Sequence, residues 1–120
     1  MSTLLRPEFV VVESEASSRD ELLVAMGAEL VAAGYVKESY PAALLEREAR
    51  YPTGLPTRPV AIAIPHTDPT HVNAALISVR KLGVPVTFRE MGTRDRHVDA
   101  SLVLMLCLPD GKSQLATLQQ

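Results

Sequence analysis

Apolar residues recur at Leu22, Met26, Leu30 and Ala33, every three or four positions, and this spacing lines one face of a helix. Ser18 and Glu21 stand where a capping box would open that helix, after the polar turn of residues 17–21, and Gly34 suits a left-handed exit. A β-branched run at residues 9–12 precedes it as a short strand. A second helix is expected from near Ser39 through Ala42, Leu44 and Leu45 to about Arg50, with Pro41 tolerated in the first turn. Residues 51–59 hold three prolines and a glycine, a density expected to end regular structure.

Beyond that break the pattern turns to strands. Residues 60–64 form an apolar run ending at Pro65-His66, and residues 74–79 read as another strand. Residues 83–88 are strand or loop, and residues 89–97 are a charged connection with Gly92 as its turn. The continuous apolar run at residues 100–108, stopped by Pro109-Asp110-Gly111, predicts a central strand buried on both faces. A new helical pattern starts at Ser113 with Leu115 and Leu118. Interleaved helices and strands place the chain in the α/β class with a mixed sheet, as a single domain over residues 1–120.

Composition narrows the function more by exclusion than by assignment. The 12 Lys and Arg against 14 Asp and Glu give a net charge of -2, so no basic field is available for a phosphate backbone and nucleic-acid binding is not expected. No apolar run reaches the roughly 20 residues of a membrane span. The first residues lack the charged leader and apolar segment of a secretory signal, so a cytoplasmic location is expected. The single Cys107 excludes an internal disulfide, and its apolar strand makes it core.

The candidate chemistry centres on His66. It follows Pro65 at the end of an apolar strand, where sites in α/β folds tend to lie. Its imidazole is either a strand-end group satisfied by backbone or a neutral nucleophile. His66 and His71 are five apart with Pro69 between them, which does not make a helical zinc pair, and no metal is expected. Arg47 and Arg50 are either helix-end charge or a fork for an anion near His66. Thr53 and Gly54 are turn formers or ligand contacts. The serine-elbow, phosphate-loop and Cys-x-x-Cys motifs are absent, so no nucleotide or other cofactor is expected.

Residues 40–55, YPAALLEREARYPTGL, followed by residues 61–67, AIAIPHT, resemble the IIA component of the bacterial sugar phosphotransferase system, in its fructose-mannitol superfamily and especially its galactitol-type branch. The resemblance implies a three-layer α/β/α sandwich whose C-terminal helices continue past Gln120, so the domain is expected to be truncated there. It implies a phosphohistidine carrier in carbohydrate uptake, galactitol in that branch, taking a phosphoryl group from HPr on Nε2 of His66 and passing it to a cysteine of an EIIB component. Arg47 would stabilise the phosphate, with Thr53 and Thr67 in the matching loops. Many mannitol-type relatives carry a second histidine where this chain has Gln114, whose amide can still donate to a phosphate but cannot carry charge. The alternative within the resemblance is a regulatory module of a transcription regulator or a nitrogen-linked phosphorelay.

Overall fold

The computed structural model describes residues 5–109. Strand β1 (Leu5–Ser14) leads into helix α1 (Arg19–Ala32) and helix α2 (Tyr40–Arg50); then come β2 (Gly54–Leu55), β3 (Ala61–Ala63), a single 3-10 turn (Pro69–His71), β4 (Leu76–Arg89) and β5 (His97–Cys107). The sheet order is β1-β4-β5-β3-β2. β1 runs parallel to β4 and β3 parallel to β5, while the β4-β5 and β2-β3 pairs are antiparallel. The mixed α/β sheet is thus as expected, with β5 at its centre.

Helix α1 has the ends its sequence encodes. The Ser18 hydroxyl accepts from the Glu21 amide at 3.1 Å. The reciprocal half of the box is shifted by one residue, because the Glu21 carboxylate takes the amide and hydroxyl of Ser17. At the far end Gly34 adopts φ +83°, the Tyr35 amide bonds Leu30 and the Gly34 amide bonds Val31, a Schellman closure. Leu22, Leu23, Met26 and Leu30 of α1 and Tyr40 and Leu44 of α2 share one buried cluster with Leu76, Phe88, Val103, Met105 and Cys107 of the sheet. Each such side chain stabilises the fold by about 1.5–3 kcal/mol through area removed from water.

Three expectations change. Residues 74–79 and 83–88 are one strand: β4 runs through Gly83-Val84-Pro85, with Lys81 opposite Leu102 and Val86 opposite Ala100. The residues between them form a bulge, exposed at Gly83, Val84 and Pro85, which is where a strand can hold a proline that has no amide to donate. The proline-rich segment at residues 51–59 is not wholly irregular, since Gly54–Leu55 pairs with Ile62 and Ala63 as an edge strand between flanking prolines. β5 starts earlier than expected, at His97, and it is not buried throughout on both faces: Leu102 and Leu104 on one side are half-buried. Among the described residues both helices lie in the cluster on the other face. The helical pattern expected from Ser113, which would supply the outer layer, lies outside the described residues.

Candidate functional site

His66 is positioned by the end of β3 where it leaves the sheet alongside β5. The Leu106 amide donates to the Pro65 carbonyl at 3.0 Å, and His66 itself bridges in parallel to Leu106. Pro65 cannot donate, so the strand turns out of the sheet at that point. His66 keeps 9% of its surface, and its Nδ1 lies 2.9 Å from the Ile64 carbonyl oxygen. A carbonyl only accepts, so this contact assigns the proton to Nδ1 and leaves the Nε2 lone pair unprotonated. Burial pushes the imidazole below its usual value of 6.5; the Ile64 bond opposes that, the positive charge of Arg47 adds to it, and the negative charge of Asp68 opposes it. The ring is therefore neutral at neutral pH, a state fit for nucleophilic attack through Nε2.

The charged part of the site comes from the last turn of α2 and the turn after His66. Arg47 Nη1 donates to Asp68 Oδ1 at 3.0 Å, and the guanidinium stacks 4.9 Å from the centre of the Tyr51 ring, one helical turn on. Its Nε is buried with no acceptor among the described residues. Arg47, Arg50, Tyr51, Thr67, Asp68 and His71 line a cleft of about 370 Å³ floored by Ala42 and Ala43. Thr67 is 1% exposed and its hydroxyl donates to the Asp68 carbonyl at 3.0 Å, which ties down the backbone just after His66. His71 turns its Nδ1 to the Ser39 hydroxyl at 2.8 Å; Ser39, the residue before α2, has helical backbone angles, φ -74° and ψ -11°, and makes no side-chain cap. Among the described residues no cluster of three His, Cys, Asp or Glu side chains is arranged to hold a metal ion.

Beneath the site lies a buried carboxylate. Glu48 is 1% exposed, and its two oxygens accept from the Thr53 amide and hydroxyl, each at 2.8 Å. The Thr53 carbonyl in turn accepts from the Ile64 amide at 3.3 Å. The next residue, Gly54, packs so closely that a Cβ there would stand 2.5 Å from Val98 Cγ2 and 2.7 Å from the Arg89 carbonyl oxygen. Thr53 thus supports the strand that presents His66, with its hydroxyl proton committed to Glu48. Gln114 lies outside the described residues.

Asp68, Tyr51 and Glu48 were not among the residues singled out from sequence as parts of the site. Tyr51 sits four residues after Arg47, the spacing of neighbours on a helix face, and that signal was readable. Glu48 carried a weaker one, a carboxylate in the last helical turn five residues before a threonine in a tight loop. The pairing of Arg47 with Asp68 spans 21 residues and depends on the fold.

Residues 3–120 match the family described as phosphoenolpyruvate-dependent sugar phosphotransferase system, EIIA 2. The galactitol-specific EIIA component of Escherichia coli K12 is 36% identical over 101 residues, 84% of this chain and 67% of that protein. Among solved structures, the Escherichia coli complex of enzyme IIAMTL with phosphorylated enzyme IIBMTL contains a chain that superposes with a TM-score of 0.74 at 25% identity, covering 95% of this chain and 78% of that one. Crystalline mannitol IIA from Escherichia coli gives 0.70 at 26% identity, covering 93% and 77%.

Proposed function

The chain belongs to the EIIA 2 family of the phosphoenolpyruvate-dependent sugar phosphotransferase system, a family of phosphoryl-carrying phosphotransferases, and we propose that its carrier atom is Nε2 of His66. The observation that carries this reading is the 2.9 Å contact of Nδ1 with the Ile64 carbonyl, which leaves a neutral ring with Nε2 as its one nucleophilic nitrogen.

The transfer proceeds as two displacements. Nε2 attacks the phosphorus of phosphorylated HPr; a new N–P bond forms as the donor's N–P bond breaks, and its electron pair returns to the donor histidine. The ring gains positive charge as this bond forms, which strengthens the Nδ1–H bond to Ile64. The cysteine thiolate of an EIIB component then attacks the same phosphorus, and Nε2 departs with the bonding pair. Such transfer asks the protein for positioning and for donors to the equatorial oxygens, and Arg47 is the cation beside His66 able to supply them. Thr53 and Thr67 hold the backbone on either side of the acceptor. Neither metal nor nucleotide enters the scheme.

The likeness to a galactitol-specific component favours galactitol as the sugar served, delivered through the EIIB partner, with the carrier acting in the cytoplasm. Among the described residues no helix is long and apolar enough to cross a membrane.

Intact mass after incubation with phosphoenolpyruvate, enzyme I and HPr tests the reading. The parent protein should gain one acid-labile phosphate and His66→Ala none, with both folded by circular dichroism. Phosphate on the His66→Ala protein would move the acceptor elsewhere.

A further inference from the structure

The Arg47 guanidinium is fixed on one side and exchangeable on the other. Tyr51 stacks against it, and its Nε is buried without an acceptor among the described residues. Among the described residues its ion-pair partner is Asp68, whose side chain is 71% exposed against 32% for Arg47. Asp68 stands two residues after His66, and its extended backbone, φ -63° and ψ 146°, is what the following Pro69 favours. Arg47 and Asp68 also act on the imidazole, with opposite sign.

This arrangement is balanced only while His66 carries nothing. A phosphoryl group on Nε2 adds between one and two negative charges beside a cation already neutralised by a carboxylate. We propose that Asp68 is a positioning residue that competes with the phosphoryl group for Arg47 and so keeps the loaded carrier ready to give up its load. The proposal rests on His66 being the acceptor. In the empty state Asp68 holds the guanidinium ready; on loading, the phosphoryl oxygens take over Nη1 and Asp68 is released to water as an uncompensated neighbour. The N–P bond is then weaker in free-energy terms than the same bond beside a free arginine. A carrier has to both receive and deliver, and an anion held by an uncontested arginine would stall on delivery.

The test is the phosphorylation equilibrium with enzyme I and HPr at fixed ratios of phosphoenolpyruvate to pyruvate, read as the fraction carrying phosphate by mass. For Asp68→Asn the equilibrium constant for loading should rise about three- to tenfold, the scale of one partly exposed charge interaction, and Asp68→Glu should return it to near the parent value. In an Arg47→Gln background the gain from Asp68→Asn should shrink, because the group competed for is gone. A constant for Asp68→Asn within twofold of the parent, or lower, overturns the proposal, as does an undiminished gain in the Arg47→Gln background. Asp68→Ser gives the same readout should the Asn variant not fold. Absence of acid-labile phosphate on the parent protein is a separate result: it overturns the His66 reading before any variant is compared.

Discussion

Removing the Glu48 carboxylate tests whether the support beneath His66 is structural in the way its hydrogen bonds indicate. In Glu48→Ala the Thr53 amide and hydroxyl both lose their acceptor in a place where Glu48 itself keeps 1% of its surface. An orphaned buried donor costs about 1–3 kcal/mol, so two cost about 2–6 kcal/mol before any relaxation. Part of this is returned, because burial raises the Glu48 pKa above its ordinary 4.5 and the native state carries a penalty for the charged form. A net loss of about 3 kcal/mol follows, or roughly 12 °C in Tm at about 4 °C per kcal/mol for a domain of this size. Urea denaturation followed by far-UV circular dichroism measures it. The carboxylate also sets a sign for pH. A carboxyl raised in the folded state contributes stability that is fully present below 4.5 and lost as pH rises through its folded value. Relative to Glu48→Gln, which does not titrate, the parent should therefore weaken as pH is raised from 4.5. A Glu48→Ala loss below 1 kcal/mol, or a parent-to-Gln difference that is flat with pH, would refute the argument.

Gly54→Ala should cost about 3 kcal/mol, since the new methyl meets the Arg89 carbonyl oxygen at 2.7 Å as well as a movable Val98 side chain; an unchanged Tm would show that the edge strand shifts freely. The His66 imidazole should titrate below 6.5 by NMR, and stability relative to His66→Gln should rise with pH between that lowered value and 6.5, because the folded state resists the charged ring; a midpoint above 6.5 contradicts the burial argument. Arg47→Lys should slow phosphoryl acceptance about tenfold or more while shifting Tm by only a few degrees, because a lysine lacks the planar fork and an exposed pair contributes little to stability; unchanged kinetics would reduce Arg47 to helix-end charge. The Cys107 thiol is fully buried and pushed up to about 11, so it should resist alkylation at pH 8 until the protein is unfolded; rapid labelling of the native protein would place it at the surface.

What was legible in the chain follows from how local each determinant is. The α1 stripe, its Ser18 start, the Gly34 exit and the Gly92 turn, with φ +78°, depend on neighbours within a few residues. The same holds for the Pro65-His66 strand end. By contrast β4 crosses Gly83-Val84-Pro85 because β5 pairs with it on both sides of the bulge, whereas the β1 pairing stops at Leu82. No local pattern encodes that support. Gly54–Leu55 is too short to have a period and becomes a strand only because β3 offers an unpaired edge. Arg80 defeats the pattern differently: it lies on the buried face of β4, 7% exposed and paired with Glu29 of α1, where a charged residue would ordinarily mark the end of a strand.

The candidate site divides along the same line, and the division says where its chemistry comes from. The ring state of His66 is set locally, by an acceptor two residues back, the Ile64 carbonyl. Arg47 was legible as a cation at a helix end, but whether it faces an anion depends on Asp68, Tyr51 and the cleft, which meet only when α2 packs beside the turn after β3. Glu48 follows Arg47 directly in the last helical turn, yet Arg47 lines the cleft while Glu48 turns inward to Thr53. Adjacent residues on a helix lie about 100° apart, so one can serve the site and the next the core. That geometry explains how an arginine followed directly by a glutamate can serve two places: the first faces the cleft, and the second fixes the loop and strand that carry His66.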